Sequence, residues 1–320
     1  MQLGVRGTEI TMYDYAYCNK KILGNESIII APSCRSLEAR SKFEKEFDVF
    51  LYKDKIKYDG IEEGPRSAIT RICKEESVDA LWVIKGGEID GIVSDSCKNL
   101  IQCVFRCDQP HGDVYSVQTD YLNQKHNTSH PVVPCMIQLP EVKEDLRSIF
   151  NIPHHAMVLG RHGGRETWWP GHQNWVYNTI HQCLEHRKDL YFIFMNTDPF
   201  IQHERALFFP ATTDLKDKVK FINTCDAMIH SRIDGETFGL SIAEFSINNK
   251  PVITNPHHCY DKAHIMMLGE KGLYYNDPQS LAKILLQINK PFIDSKNWDA
   301  YSSFTNPEFV MDRFKSVYLG

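Results

Sequence analysis

Gly235-Glu236-Thr237-Phe238-Gly239-Leu240-Ser241-Ile242-Ala243-Glu244, running on to Asn248-Asn249-Lys250-Pro251-Val252-Ile253-Thr254, decides the reading of this chain. The two glycines predict a loop, the apolar run a helix over about Leu240–Asn248, and Val252–Thr254 a strand. A helix start presents backbone N–H groups without intrahelical partners and a partial positive charge, which suits a phosphate. Glu236 lies just before that start, and Glu244 sits inside the helix. A ligand with its phosphates on the amides would therefore offer hydroxyls to both carboxylates. That combination describes a nucleotide sugar, with a central diphosphate, a ribose on one side and a hexose on the other.

The same segment resembles the Glu-x7-Glu signature of retaining glycosyltransferases of the GT-B fold, family four in particular. Phe245 stands where that family usually has Ala, and Asn249 where it usually has Gly. Asn tolerates the left-handed conformation that a helix C-terminus needs, so the second change is mild. The resemblance implies an α/β protein of GT-B architecture, two Rossmann-like domains with parallel sheets facing across a cleft. The expected domains are an acceptor-side unit over 1–150 and a nucleotide-sugar-binding unit over 151–296. A helical tail over 297–320 is expected to pack back on the first.

At 320 residues and 42% hydrophobic, the chain is long enough for two cores. A net charge of −5 gives no general affinity for nucleic acid. The ten cysteines lack any C-x-x-C or zinc-like spacing, which predicts reduced thiols and a cytoplasmic protein. No signal peptide is evident. Apolar runs such as Ile28–Ile30 and Tyr191–Phe194 have strand length, far short of the roughly 20 residues of a membrane span. Peripheral membrane contact stays open.

Short apolar strands alternate with helical stretches from end to end, which predicts parallel sheets built from βαβ units. In the first half the expected strands are Ser27–Ala31, Asp48–Tyr52, Ala80–Ile84, Leu100–Phe105, Asp113–Val117 and Pro131–Ile137. The expected helices there are Thr8–Asn19, Ser36–Phe47, Pro65–Glu76 and, at the end, Val142–Phe150. The pattern restarts near Asn151. Strands follow at Ala156–Leu159, Leu190–Met195, Lys218–Ile222, Ala227–His230 and Val252–Thr254, with helices at Asn174–His186, Leu240–Asn248 and Gln279–Ile288.

Ala156–Glu166 resembles the strand and Gly-Arg loop that opens the second GT-B domain. There an arginine and a lysine neutralise the diphosphate and the charge that develops on the leaving group. Arg161 matches the arginine. The lysine position falls on Glu166, so the second cationic role passes to its neighbour Arg165. Asp226–Arg232 resembles the strand that delivers the chain to the signature loop. Arg232 either faces a phosphate or pairs with Asp234, and both alternatives stand. His257, His258, Cys259 and His264 fit no usual metal spacing and read as a polar loop; enzymes of this resemblance need no metal in the donor site.

In the first half, Gly4–Glu9 resembles the glycine loop that brings backbone amides, Gly7 among them, to the donor phosphates. Only Met1-Gln2-Leu3 precede that loop, so either the expected first strand is trimmed or the start is mis-set. His111, between two expected strands, is the candidate for contact with the donor sugar, and Gln102 is its rival. Trp168, Trp169 and Tyr260 are aromatic residues able to stack on a ligand.

The resemblance thus implies metal-independent transfer of a hexose from a UDP- or GDP-linked donor to an acceptor hydroxyl, with retention, in glycan biosynthesis. The acceptor is a glycan, a lipid or a protein-bound glycan, and no separate cofactor is expected. Glu236, His111 and Arg161 are the catalytic candidates. Glu244, Arg165, Thr237, Phe238, Gly239, Leu240, Gly7 and Arg232 are the donor-binding candidates. Glu244 is expected on the ribose and Glu236 on the hexose. In enzymes of this resemblance the departing phosphate oxygen takes the acceptor proton on the same face of the sugar. Two other readings stand beside it: a nucleotide-sugar-binding protein without transfer, and a UDP-sugar epimerase of the same fold.

Overall fold

A computed structural model describes residues 3–4, 7–53, 56–58, 61–168, 174–257 and 259–320. In chain order the elements begin with α1 (Gly7–Lys21), β1 (Ile28–Pro32), α2 (Arg40–Glu44) and β2 (Asp48–Tyr52). Next come β3 (Ile56–Tyr58), β4 (Ile61–Glu63), α3 (Pro65–Glu75), β5 (Ala80–Lys85), β6 (Lys98–Cys103), β7 (Val114–Val117) and α4 (Asp120–His126). The chain continues with β8 (Met157–Arg161), α5 (Trp175–His186), β9 (Leu190–Met195), β10 (Ala206–Phe209), α6 (Leu215–Thr224) and β11 (Ala227–Ile229). After these lie β12 (Gly235–Glu236), α7 (Leu240–Ile247), β13 (Val252–Thr254), β14 (Asp261–Lys262), α8 (Ala263–Leu268), β15 (Gly272–Tyr274) and α9 (Pro278–Gln287). Three short α-helices follow, α10 (Lys290–Asp294), α11 (Ser302–Thr305) and α12 (Pro307–Phe314), and a π-helical segment over Lys315–Leu319 closes the chain.

Two compact units result, one of Met1–Gln138 with Phe304–Gly320, the other of Leu139–Ser303. In the first, β1 and β2 pair in parallel, β5-β6-β7 form a parallel three-stranded sheet, and β3 and β4 an antiparallel hairpin. Tyr15 of α1 and Val310, Met311 and Phe314 of α12 share a core cluster with Leu100 and Val133.

The second unit holds a six-stranded parallel sheet in the order β10-β9-β8-β11-β13-β15. Its β8 and β9 are buried almost throughout, which is why Met157–Leu159 and Leu190–Met195 read as unbroken apolar runs. From β8 the chain winds outward through β9 and β10, then returns to β11 and winds the other way. The order therefore reverses between β8 and β11, and the carboxyl ends of strands at such a switch point are where open α/β sheets take ligands.

Several sequence expectations fail for identifiable reasons. Lys218–Ile222 is helix, the middle of α6, rather than strand. Val219-Lys220-Phe221 alternates like a strand, but Asp214 caps the segment by accepting from Lys216 N, and Leu215, Val219 and Ile222 have helical spacing. Pro131–Ile137 is no strand and makes one isolated bridge, Val132 to Val117. Pro131 and Pro134 have no N–H for a ladder, and side chains take the carbonyls instead. Gln102 Nε2 donates to Val133 O and Tyr15 OH to Pro134 O, each at 2.6 Å.

Val142–Phe150 is not helical either. Asn223 Nδ2 donates to the carbonyls of Val142 and Glu144, and Leu146 N donates to Thr224 Oγ1. Backbone groups engaged in this way cannot serve an internal helix. The helix expected over Ser36–Phe47 shrinks to α2, because Leu3 N donates to Ser36 O and Ala39 N to Leu3 O. Leu3 thus makes loop contacts and belongs to no strand. Sequence reading also passed over β10, β15, α4, α8 and the β3–β4 hairpin.

Candidate active site

Two strand ends and one helix start meet at the switch point of the second unit. β8 ends in Gly160-Arg161. A Cβ on Gly160 would lie 2.1 Å from Cys225 Sγ, so only glycine lets the strand pass this close to the turn after α6. Arg161 is buried, and its guanidinium donates to Gly164 O at 2.8 Å, Asn196 O at 3.3 Å, Thr197 Oγ1 and Thr167 Oγ1. It thereby fixes the loop that follows β8. Burial lowers its pKa to about 10 despite the opposing pull of Glu236, and it remains a cation at neutral pH.

β11 delivers His230-Ser231-Arg232, and the chain turns through Gly235 into α7. Gly235 has φ +67°, and a Cβ there would stand 1.8 Å from Asp261 O, the residue it pairs with in β14. The position therefore demands glycine. Gly239, in the left-handed region at φ +85°, is the N-cap of α7 and has no side chain to satisfy the helix start. The first intrahelical bond to it runs from Ala243 N to Gly239 O at 2.9 Å. The amides of Leu240, Ser241 and Ile242 thus have no intrahelical acceptor, which is the arrangement that favours an anion. At the far end Asn249 takes φ +56°, with Lys250 N donating to Phe245 O, as a left-handed helix stop requires.

Glu236 is largely enclosed, with 17% of its side chain exposed. Arg232 Nη1 donates to its Oε1 at 3.1 Å, and His230 Nε2 lies 3.5 Å from the same oxygen. Arg232 also stands 3.6 Å from Asp234, so its main partner is Glu236 and Asp234 is secondary. Burial pushes the Glu236 carboxyl up. His230 and the Arg232 charge outweigh that and hold it at about 2.

Glu244 is 9% exposed on a helix buried on nearly all sides. Lys218 Nζ donates to its Oε1 at 2.8 Å, and His162 Nε2 lies 3.0 Å from its Oε2. Burial again raises the carboxyl, and Lys218 with His162 brings it down to about 2. Both oxygens already have protein partners.

The remaining expected residues fall in different places. Arg165 is 67% exposed and paired with Asp198. Thr237 is buried beside Glu236, while Leu240 is half-buried at the helix start. Phe238 packs edge-on against Tyr301, whose hydroxyl donates to its carbonyl, so that residue supports the loop from beneath. Trp168 is buried against Phe194 and Phe200 and is unavailable for stacking. Trp169 and His258 lie outside the described residues, as does the Glu166 side chain. Tyr260 is 73% exposed. Among the described residues no group of His, Cys, Asp and Glu is placed to hold a metal ion.

Gly7 and His111 belong to the first unit, where Gly7 begins α1 and Val5 and Arg6 lie outside the described residues. His111 precedes β7 and lines a pocket of about 460 Å³ with Arg66, Asp95, Asn99 and Asp113. That pocket is at the amino-terminal edge of β6 and β7, opposite the strand ends where such sheets take ligands. Gln102 lies nearer the favourable edge, in the last turn of β6, but its amide is committed to Val133 O.

Sequence reasoning did not assign His162, Lys218 or His264 to the site. Lys218 lies in the segment whose alternation predicts a strand and which is helix α6. His162 follows Arg161 directly, which was the available signal. His264 is fully buried on α8 with Nε2 3.4 Å from Thr254 Oγ1, and not in a polar surface loop.

No known family profile matches the chain, and no curated protein matches it in sequence. Solved structures do. Anabaena HepE, in complex with UDP and glucose, superimposes with a TM-score of 0.64 at 11% identity, over 99% of this chain and 93% of that one. WaaG, a glycosyltransferase involved in lipopolysaccharide biosynthesis, gives 0.61 at 12% identity, over 100% and 98%. A glycosyltransferase from Rickettsia africae gives 0.61 at 13%, over 98% and 92%. The chain therefore has the GT-B fold of these glycosyltransferases. No helix among the described residues is long and apolar enough to cross a membrane.

Proposed function

We propose that the second unit binds a nucleoside diphosphate sugar at the β8/β11 switch point, and that the protein transfers the hexose to an acceptor hydroxyl. Transfer proceeds with retention and without a metal. The observation that carries this reading is the helix start: three amides without intrahelical acceptors, a glycine cap, and Arg161, Arg232 and Glu236 beside them.

In this reading the diphosphate sits on the amides of Leu240–Ile242, with Arg161 holding the adjoining loop and adding its charge. Breaking the sugar–phosphate bond builds charge on the phosphate, and preset donors in an enclosed site stabilise that charge without reorganising. Arg165 supplies a second cation by leaving Asp198, since an exposed pair of this kind is screened by water and holds only weakly. Glu236 accepts from hydroxyls of the donor sugar. Glu244 accepts from ribose hydroxyls only through lone pairs left over by Lys218 and His162. Retention is supported by the Glu-x7-Glu resemblance.

HepE has been seen with UDP-glucose, which makes UDP-glucose the first donor to try. A thermal-shift series with UDP, GDP and ADP identifies the base. A ligand at a hundred times its Kd raises stability by about 2.7 kcal/mol. Slow hydrolysis of the matching nucleotide sugar, unchanged by excess EDTA and giving an α product from an α donor, is the expected result. Hydrolysis that needs Mn²⁺ or Mg²⁺ would overturn the metal-free site. Binding without turnover, or interconversion of two UDP-sugars, would replace transfer by one of the other two readings.

A further inference from the structure

Behind Glu236 runs a row of buried polar groups that the proposed function leaves unused. His230 Nε2 is 3.5 Å from Glu236 Oε1, and His230 Nδ1 is 2.9 Å from Thr254 Oγ1. Thr254 Oγ1 is in turn 3.4 Å from His264 Nε2. All three residues behind the carboxylate are buried, and they come from three elements: the end of β11, the last residue of β13, and α8. The backbone of His230 is pinned from two sides, its N–H donating to Ile253 O and its carbonyl accepting from Tyr275 OH.

We infer that His230 is a positioning residue for Glu236, held in a single tautomer by Thr254 and His264. The direction of the row follows from its two ends. Glu236 is a carboxylate and can only accept, so the proton on His230 belongs on Nε2. That nitrogen meets no acceptor in full hydrogen-bonding geometry among the described residues, and Glu236 Oε1 at 3.5 Å is the one it faces. A contact of 3.5 Å is loose before substrate arrives and shortens when a reacting complex forms. With Nε2 protonated, Nδ1 accepts from the Thr254 hydroxyl. Thr254 then accepts from His264 Nε2–H. The lone pair left over is at His264 Nδ1, a buried atom with no hydrogen-bond partner among the described residues, where an unpaired acceptor sits better than an unpaired N–H. Every donor in the row thus points towards Glu236. Its Oε1 accepts from Arg232 and faces His230, and Oε2, with no hydrogen-bond donor among the described residues, is left to accept from a ligand. The group this carboxylate takes is therefore a hydroxyl or other hydrogen-bond donor.

The tautomer stands on geometry alone, and only its kinetic consequence rests on the proposed function. The test is ring-nitrogen NMR of histidine-labelled protein at neutral pH, with the His230 signals assigned from their loss in H230Q. It is paired with UDP-glucose hydrolysis by wild type, T254V and T254S. The expected spectrum shows His230 protonated at Nε2 and unprotonated at Nδ1, with T254V mixing the two tautomers. The expected kinetics are a kcat lower by about tenfold in T254V, the usual effect of losing such a supporting partner, with KM nearly unchanged and T254S restoring the rate. A proton on Nδ1 of His230 overturns the inference. So does a folded T254V with wild-type tautomer and wild-type kcat. If wild type neither binds nor hydrolyses any nucleotide sugar, the proposed function fails and the ring signals decide the inference alone. If T254V does not fold, the wild-type signals decide it in the same way.

Discussion

Glu236 and Glu244 are carboxylates of one signature, both held at about 2, yet they sit in regions built on opposite principles. Glu236 is on a two-residue strand forced by Gly235, still partly open, with its cation on a neighbouring loop. Glu244 is inside a buried helix, enclosed by Lys218 from α6 and His162 from the end of β8. A carboxylate whose oxygens are shared internally fixes the packing of three elements. One with an oxygen to spare is open to a ligand, as the proposed function requires. Equal spacing in sequence thus conceals unequal duties.

The strongest way to break this comparison is to remove Glu244. Glu244→Ala leaves Lys218 buried without its counter-charge and His162 without the carboxylate it faces, and losing one partner of such a pair costs about 3–5 kcal/mol. Urea unfolding should show that loss. The double variant Lys218→Met, Glu244→Leu should recover most of it, because it removes the charges together. A loss below about 1 kcal/mol in the single variant would mean that Glu244 is free and the two glutamates are alike.

Acid sharpens the contrast by separating His264 from the carboxylates. Burial, with His230 nearby, depresses the His264 pKa to about 3, while the unfolded chain titrates near 6.5. The unfolded state therefore binds more protons below about pH 6.5, and stability falls as pH drops, by up to about 1.4 kcal/mol per pH unit. Both glutamates have depressed values too, so their stabilisation is present above about 4.3 and lost only as pH falls towards 2. Unfolding measured from pH 7 to 5 should slope in wild type, with buried His162 contributing in the same direction, and His264→Leu should reduce that slope. An unchanged slope in the variant would remove His264 from the buried row.

Glu236→Gln should lose the stabilisation that the ionised carboxylate supplies at neutral pH, yet be nearly silent in affinity for the free nucleoside diphosphate. It should lower kcat by tenfold or more, as expected for a group that acts mainly on the transition state. Calorimetry and steady-state kinetics on the same preparation distinguish this from a ligand lying the other way round, in which nucleotide affinity would fall instead. The smallest effect belongs to Arg165→Ala. Breaking its exposed, solvent-screened pair with Asp198 should leave stability nearly unchanged, while raising KM for the donor.

The legible parts of this molecule are those whose chemistry is local. Gly239 before an apolar run, Asn249 and Pro251 after it, and Val252–Thr254 marked out α7 and β13 from sequence. β8, β9 and β11 were readable because strands buried on both faces are apolar throughout. Distant partners hid the remainder. Nothing in Val142–Phe150 announces that Asn223 and Thr224 take its backbone groups. Lys218 and Glu244 are 26 residues apart, and the pair became visible only once α6 was seen to be a helix. His111 looked central because it lies between strands, but the order of β6 and β7 puts it at their amino-terminal edge.

The claim on which the rest depends is that an anion of a nucleoside diphosphate rests on the start of α7. Titrating UDP and GDP into amide-labelled protein and following Leu240, Ser241 and Ile242 by NMR tests it most directly. For one of the two nucleotides these three amides should shift together and saturate with the same Kd as the thermal stabilisation. Saturable binding of either nucleotide that leaves all three amides unmoved would contradict the claim, and so would the absence of binding by both.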